Sequence, residues 1–177
     1  MDVSQPMLSL AAQKSKKLAL DVKWINMDMT SLQLNHCADF ITCVCDGVNY
    51  ISQGDLAGFF DRVYANLKSG GRFVFDISTR HKLEKVLGDN LFCEDYDDLT
   101  YIWSNELGDG YVDMDIDFFE KVEGNIYQRL EESHRQYVHD TDVLERLLEK
   151  WHVEKYDGES YGAPNAKSKR VIFVATK

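Results

Sequence analysis

The stretch DFITCVCDGVNY, residues 39–50, decides the fold of this sequence. Its first part, Phe40 to Cys45, is a short apolar run with β-branched and aromatic residues, which is typical of a buried strand. The run stops at Asp46-Gly47. A second apolar run, Arg72 to Ile77, ends in the polar residues Asp76 to Ser78. A segment with helical spacing separates the two runs, so the sequence predicts a βαβ unit.

The helix between the two strands is indicated by apolar residues at the i, i+3, i+4, i+7 spacing. They are Leu56, Phe59, Phe60, Val63, Tyr64 and Leu67. In an open parallel sheet, ligands bind outside the carboxyl ends of the strands. We therefore expect Cys45 to Tyr50 and Asp76 to Thr79 to face one crevice, and we place the chemistry there.

Length and charge narrow the class of protein. The chain has 177 residues, 44% hydrophobic and 28% charged, which suits one globular domain with a core. Its net charge is −10 and its pI about 4.9. A protein that binds a phosphate backbone needs a basic face, so we expect no nucleic acid partner.

Three features of the sequence indicate the cellular compartment of the protein. No apolar run approaches the ~20 residues of a membrane span. Met1 is followed by Asp-Val-Ser-Gln-Pro and not by a basic and then apolar leader. The four cysteines contain no CxxC pair, and we expect reduced, buried thiols. The sequence therefore predicts a cytoplasmic protein that does not enter a membrane.

The rest of the chain completes the predicted fold. Residues 21–26, DVKWIN, predict a further strand of the core. From Phe92 onward the apolar residues alternate with period two, which predicts a small antiparallel sheet inserted after the βαβ unit. We expect a partial cofactor-binding core over residues 1–91, a β insertion or lid over 92–138, and the final helix and strands over 139–177.

Three acids, Asp2, Asp28 and Asp46, stand just past predicted strands. A carboxylate accepts hydrogen bonds, so at a strand end it can bind the hydroxyls of a ribose or an adenine amino group. A single acid in such a place is more often a solvated turn residue or a helix cap. Three of them on successive strands exceed what that explanation predicts.

The sequence as a whole resembles the class I S-adenosylmethionine-dependent methyltransferases. The resemblance rests on VSQPMLSLAAQKSKK, VKWINMDMTSL, DFITCVCDGVNYI and FFDRVYANLKSGGRFVFDIST, with EESHRQY and KRVIFVATK later in the chain. The later pieces resemble a branch of small bacterial members with a β insertion. The resemblance implies an α/β fold with a Rossmann-like, mostly parallel sheet whose last strand is antiparallel. It also implies S-adenosyl-L-methionine as the cofactor.

The resemblance also assigns roles. Asp2 stands where the family holds the ribose hydroxyls, and Asp28 and Met29 stand where the adenine is recognised. Cys45 and Asp46 stand where the loop passes the methionine part of the cofactor. The transfer site is bordered by the next residues of that loop, Asn49 and Tyr50.

The insertion supplies a further candidate. Period two puts Glu132, His134 and Gln136 on one face of the run from Asn125 to Tyr137. In the resembling branch this sheet covers the mouth of the active site, so His134 would remove a proton from the acceptor. The alternative is a hydrogen-bonded structural trio. The alternating aspartates at 113, 115 and 117 predict a solvated face that pairs with Arg129 and Arg135, and we expect no metal site.

One feature departs from the family. Its first strand and glycine-rich loop, of GxGxG type, precede the position of Asp2 and have no counterpart here. We expect a sheet without its first strand, an unfilled slot between the strands near Asp21 and Phe40, and weak or absent cofactor affinity. A truncated fragment, a partner chain or second copy that completes the sheet, and a rearranged inactive fold each explain this departure. The fragment is the favoured one.

The sequence is consistent with two functions. The first is methyl transfer from S-adenosylmethionine to a small-molecule acceptor. The second is a non-catalytic remnant or interaction domain that keeps the fold. A nucleotide-binding module of another chemistry is disfavoured because no phosphate-cradling loop is present.

Overall fold

A computed structural model describes all 177 residues of the chain. The helices are α1 (Gln5–Lys17), α2 (Leu56–Asn66) and α3 (Thr141–Leu147), with 3₁₀ turns at Met29–Ser31 and Gly47–Tyr50 and a π-helix at His81–Leu87. The strands are β1 (Ala38–Cys43), β2 (Leu67–Ser78), β3 (Leu91–Asp95), β4 (Leu99–Leu107), β5 (Tyr111–Glu123), β6 (Ile126–Tyr137), β7 (His152–Asp157) and β8 (Arg170–Thr176).

The core sheet has the strand order β1-β2-β8-β7. Strands β1 and β2 are parallel, and β8 lies antiparallel between β2 and β7, so only the last strand runs against the others. The predicted βαβ unit and the antiparallel last strand are confirmed. The chain reaches this arrangement because β1 and β2 are joined through α2, and a parallel pair needs such a crossover.

Aromatic residues fill the space between the core sheet and α2. Phe59 and Phe60 of α2 meet Phe73 and Phe75 of β2, and all four are buried. The ring of Phe75 stacks on that of Phe173 in β8 at 4.7 Å between centroids. These contacts fix α2 against the sheet. The loop between β1 and α2 follows the carboxyl end of β1, so it lies at the edge where the parallel strands end.

The predicted strand at residues 21–26 is wrong. Only one isolated parallel bridge, between Asp2 and Asn26, forms in this part of the chain. The amide of Asp2 donates to the carbonyl of Ile25 at 3.1 Å, and the amide of Met27 donates to that of Asp2 at 3.1 Å. No other backbone runs alongside residues 21–25, and a strand extends only as far as a neighbouring backbone pairs with it.

Strand β1 has a partner on one side only. Its other edge borders an apolar pocket of about 410 Å³ that is also lined by Met1, Val3 and Met27. Near this edge Phe40 is 55% exposed and Val44 is 57% exposed. The predicted slot beside β1 therefore exists as an apolar pocket.

The inserted sheet is an antiparallel meander of β3, β4, β5 and β6, as predicted. On one face, Val112 and Met114 are buried against Leu83 and Leu87 of the π-helix. On the other, Asp113, Asp115 and Asp117 bond to Arg135, Ser133 and Arg129 at 2.6 to 2.9 Å. The expected pairing with the two arginines is confirmed. The division of the chain after residues 91 and 138 stays a prediction.

The cysteines differ from expectation. All four are free thiols, but Cys37, Cys45 and Cys93 are exposed instead of buried, because they lie on loops or on the open faces of edge strands. Only Cys43 is partly covered. None of the three helices has the length and apolar character that crossing a membrane requires.

Candidate functional site

The loop after β1 has an unusual backbone. Cys45 and Asp46 both lie in the left-handed region, with φ of 61° and 54°. Such a conformation at a residue other than glycine costs about 1–3 kcal/mol and persists where the surroundings impose it. The 3₁₀ turn Gly47–Tyr50 follows directly. The loop that the sequence singled out is therefore a strained turn that its surroundings must hold in place.

Two carboxylates and an arginine hold this turn. The amide of Asp46 donates to Oδ2 of Asp76, near the end of β2, at 3.2 Å. The guanidinium of Arg170, the first residue of β8, pairs with both Asp46 and Asp76. The side chains of the two aspartates are 15% and 7% exposed, so most of this ion network is removed from water.

The charge state of Asp46 follows from these neighbours. Burial raises its pKa, but the charge of Lys82, the hydrogen bond from Gln136 and the charge of Arg170 more than offset it. The pKa of Asp46 therefore lies below its ordinary value, and the group is a carboxylate at neutral pH. The ammonium of Lys82 is 3.9 Å from Oδ2 of Asp46.

The insertion reaches the same turn. Gln136 of β6 is buried, and its Nε2 donates to Oδ2 of Asp46 at 3.1 Å. Two residues earlier, the ring of His134 meets the ring of Tyr50 edge to face, with 6.0 Å between centroids. Glu132 lies 3.3 Å from Nε2 of His134. The polar face predicted for β6 thus points at the loop after β1.

Asn49 occupies the interior of the site. Its side chain is fully buried, and its Oδ1 accepts from the amide of Ser78 at 2.8 Å. Its Nδ2 donates to the carbonyls of Ser78 at 3.1 Å and of Tyr137 at 2.9 Å. The amide of Asn49 thus joins the 3₁₀ turn to the ends of β2 and β6.

The cofactor candidates are more dispersed. Asp2 and Met29 line the apolar pocket beside β1, together with Cys43, Val44 and Gly47. Burial raises the pKa of the Cys43 thiol to about 11, so it stays protonated.

The other three cofactor candidates, Asp28, Cys45 and Asp46, lie outside this lining. Asp28 accepts from the amide and the hydroxyl of Thr30, and these bonds lower its pKa. Cys45 is exposed at the turn.

Sequence reasoning placed Asp76 at the crevice and Gln136 on the polar face of the insertion, but it missed Arg170 and His139 as residues of the site. Arg170 reaches Asp46 and Asp76 through the antiparallel pairing of β8 with β2, in which it faces Ser78. His139 is buried, and its Nε2 is 3.3 Å from the carbonyl of Val48 and 3.1 Å from that of Ile51. In the sequence, His139 is marked only by its position as a polar residue just before the last helix.

A model of the methyltransferase domain matches residues 1–71. The crystal structure of an S-adenosylmethionine-dependent methyltransferase from Clostridium acetobutylicum superposes on this chain with a TM-score of 0.93 and 34% sequence identity. The superposition covers 98% of this chain and 72% of the Clostridium chain. The chain belongs to the S-adenosylmethionine-dependent methyltransferases. It is a class I member, with the Rossmann-like fold that the sequence predicted.

Two further relatives of this methyltransferase extend the comparison. A protein of Geobacillus sp. (strain WCH70), classed by name as a methyltransferase, is 28% identical over the whole of this chain and 74% of its own. A sugar N-methyltransferase from Streptoalloteichus sp. superposes with a TM-score of 0.75 at 15% identity, over 99% of this chain and 68% of its own. At that identity the second likeness shows the fold alone.

Proposed function

We propose that this chain methylates a small-molecule acceptor with S-adenosylmethionine as the donor, at the crevice between the loop after β1 and the polar face of β6. The observation that carries the proposal is the contact of His134 with Tyr50, two residues from the hydrogen bond between Gln136 and Asp46. Two separate sheets meet there around one loop. The acceptor of the sugar N-methyltransferase is a precedent for a small acceptor.

The pocket beside β1 suits the adenosine part of the donor. Met27 and Met29 supply apolar walls for a flat base. Asp2 uses Oδ1 to accept from the amide of Ser4 at 2.7 Å, which leaves its other oxygen for a ribose hydroxyl. Asp28 stands beside Met29 and, by the same reasoning, is proposed for the adenine. The turn at Cys45 and Asp46 then borders the methionine part.

When bound, the donor supplies an electrophilic methyl group, so the protein chiefly has to align the acceptor and exclude water. His134 is proposed as the base. Because Glu132 faces Nε2, that nitrogen carries the proton and Nδ1 is left to accept one. Tyr50, 42% exposed, borders the acceptor. Asn49, whose amide is fully engaged, holds the turn in place.

The donor pocket of this chain is proposed to bind weakly. Its lining contains a single glycine, Gly47, and offers no succession of bare backbone amides to the carboxylate of the donor. Titration of S-adenosylhomocysteine by calorimetry measures this affinity directly. Tight one-to-one binding would show that the pocket is sufficient as it stands.

The catalytic assignment is tested with an acceptor panel of amino sugars, small amines, hydroxyl compounds and carboxylic acids. We expect His134→Gln to reduce turnover by about 10²–10⁴-fold while leaving S-adenosylhomocysteine affinity unchanged. His36→Gln, at an exposed site away from the crevice, is the matched control. Equal turnover of His134→Gln and the control removes His134 from the reaction.

The second candidate, a non-catalytic interaction domain, is favoured by one observation, the unpaired edge of β1. An unpaired strand edge attracts another strand. A second copy or another chain that adds a strand there would cover Phe40 and Val44 and close the pocket. Light scattering of the chain and of Phe40→Lys tests this, since a charge at the edge should abolish association. A monomer at all concentrations, together with cofactor-dependent turnover, argues for the first candidate.

A further inference from the structure

The left-handed turn after β1 is restrained from three directions. Asp76 accepts a hydrogen bond from the backbone amide of Asp46, and Arg170 pairs with both carboxylates. Gln136 donates a hydrogen bond to the side chain of Asp46. Since Cys45 and Asp46 are not glycines, their conformation needs such restraints. The three restraining side chains belong to three different strands, β2, β8 and β6. The conformation of the turn therefore depends on how these strands are placed around it.

Arg170 is the member that another cation can replace only in part. A guanidinium presents its donors in a planar fork and can bind two carboxylates at once, whereas an ammonium is a single point charge. Here one nitrogen, Nη1, pairs with Asp76 and the other, Nη2, with Asp46. Without the fork, Asp76 would lose the cation that it pairs with, and Asp46 would keep only the more distant ammonium of Lys82, at 3.9 Å.

The path of the Arg170 side chain depends on a glycine. A Cβ at Gly158 would come within 2.8 Å of both Cβ and Cγ of Arg170. The backbone amide of Gly158 also donates to the carbonyl of Arg170 at 2.9 Å. Because Gly158, the residue directly after β7, has no side chain, the backbone can pass this close to the stem of the arginine, and a larger residue would displace it.

We propose that Arg170, held in place by Gly158, is the positioning residue that keeps the turn at Cys45 and Asp46 in its left-handed form and so shapes the methyl-transfer site. The assignment of this turn to the transfer site rests on the proposed function. The positioning itself does not, and it acts through Asp46 and Asp76 without contact to the reacting atoms.

Hydrogen exchange of the unliganded chain measures the positioning. The amide of Asp46 donates to Asp76, and the amide of Asn49 donates to the carbonyl of Asp46, so a peptide covering residues 44–51 reports on the turn. We expect this peptide to exchange about tenfold faster in Arg170→Met, while peptides of β5 and β6 keep their rates. Arg170→Lys should restore part of the protection.

Two further variants complete the test. Gly158→Ala displaces the arginine without removing its charge and should accelerate exchange of the same peptide. Lys169→Met removes a neighbouring cation that pairs only with exposed Glu159, and it should leave the peptide unchanged. If Arg170→Met does not fold, Arg170→Lys and Gly158→Ala carry the measurement. Unchanged exchange in both Arg170→Met and Gly158→Ala, or equal acceleration across β5 and β6, overturns the proposal.

The same variants separate this inference from the proposed function. Exchange is measured without donor or acceptor, so its result stands even if the wild-type chain binds no S-adenosylhomocysteine. Absence of cofactor-dependent turnover with every member of the acceptor panel would count against methyl transfer alone. Unchanged exchange combined with cofactor-dependent turnover would count against the positioning role alone.

Discussion

Nε2 of Gln136, at the end of β6, donates a hydrogen bond of 3.1 Å to Oδ2 of Asp46, after the end of β1, across 90 positions of the chain. It is a direct polar link between the inserted sheet and the loop of the core that borders the proposed transfer site. Because Asp46 is a mostly buried carboxylate, this hydrogen bond is of the charge-assisted kind.

Replacing Gln136 with Met removes that donor and keeps a similar side-chain volume. We expect the free energy of unfolding to fall by about 1–3 kcal/mol, since the carboxylate loses a charge-assisted bond that water cannot replace. Urea unfolding of the variant gives the value. Gln128→Met, on the exposed part of the same strand, is the matched control and should stay within ~0.5 kcal/mol of the wild type. Equal stability of the two variants contradicts the prediction.

Replacing Asn49 with Asp keeps the shape of the side chain but replaces its hydrogen-bond donor, Nδ2, with an acceptor oxygen. An oxygen would then face the carbonyls of Ser78 and Tyr137, which now receive bonds at 3.1 and 2.9 Å. We expect a loss of about 3 kcal/mol or more, because a buried donor becomes a charged acceptor. Thermal unfolding measures it, with exposed Asn35→Asp as the control. A variant that melts with the control would show that Asn49 is not a structural residue.

The buried imidazole of His139 gives a pH dependence. Burial lowers its pKa below the ordinary 6.5, although the carbonyls of Val48 and Ile51 and the charge of Asp140 act the other way. The unfolded chain therefore binds more protons than the folded one below about pH 6.5, and stability falls as the pH drops from there toward the lowered pKa.

The measurement is urea unfolding at a series of pH values between about 7.5 and 5. His139→Gln should flatten the slope, whereas His152→Gln, at an exposed site, should preserve it. The stability that ionised Asp46 contributes is lost at a lower pH than this series covers, because the pKa of Asp46 lies below 3.8. A slope that persists in His139→Gln would assign the effect to another group.

Gly47 and Gly58 should respond in opposite ways to substitution with alanine. A Cβ at Gly47 would lie 2.7 Å from Sγ of Cys43, whereas a Cβ at Gly58, inside α2, meets nothing within 4 Å. We expect Gly47→Ala to destabilise the protein by about 1–3 kcal/mol and Gly58→Ala to stabilise it by about 0.5–1 kcal/mol.

Adding Cys43→Ala to Gly47→Ala isolates the contact, because it removes the sulfur that the new methyl group meets. The double variant should then be more stable than the sum of the two single changes predicts. Strict additivity in a double-mutant cycle would place the cost of Gly47→Ala elsewhere.

Part of the fold could be predicted because its signals are local. The alternation of Val112 and Met114 with aspartates identified a half-buried strand, and the spacing of Phe59, Phe60 and Val63 identified α2. The strand at residues 21–26 failed for the opposite reason. Its β-like composition was real, but a strand needs a partner backbone, and only Asn26 has one.

The sequence by itself determined the βαβ unit, the inserted antiparallel sheet and the membership of the methyltransferase family, because periodicity and ordered motifs lie along the chain. Only the tertiary structure decided that Arg170, Asp76 and Gln136 meet at Asp46, since these contacts join residues 30 to 124 positions apart through strand register. The stretch 39–50 specified where the proposed site lies. The pairing of β8 with β2 and the docking of β6 specified which side chains complete it.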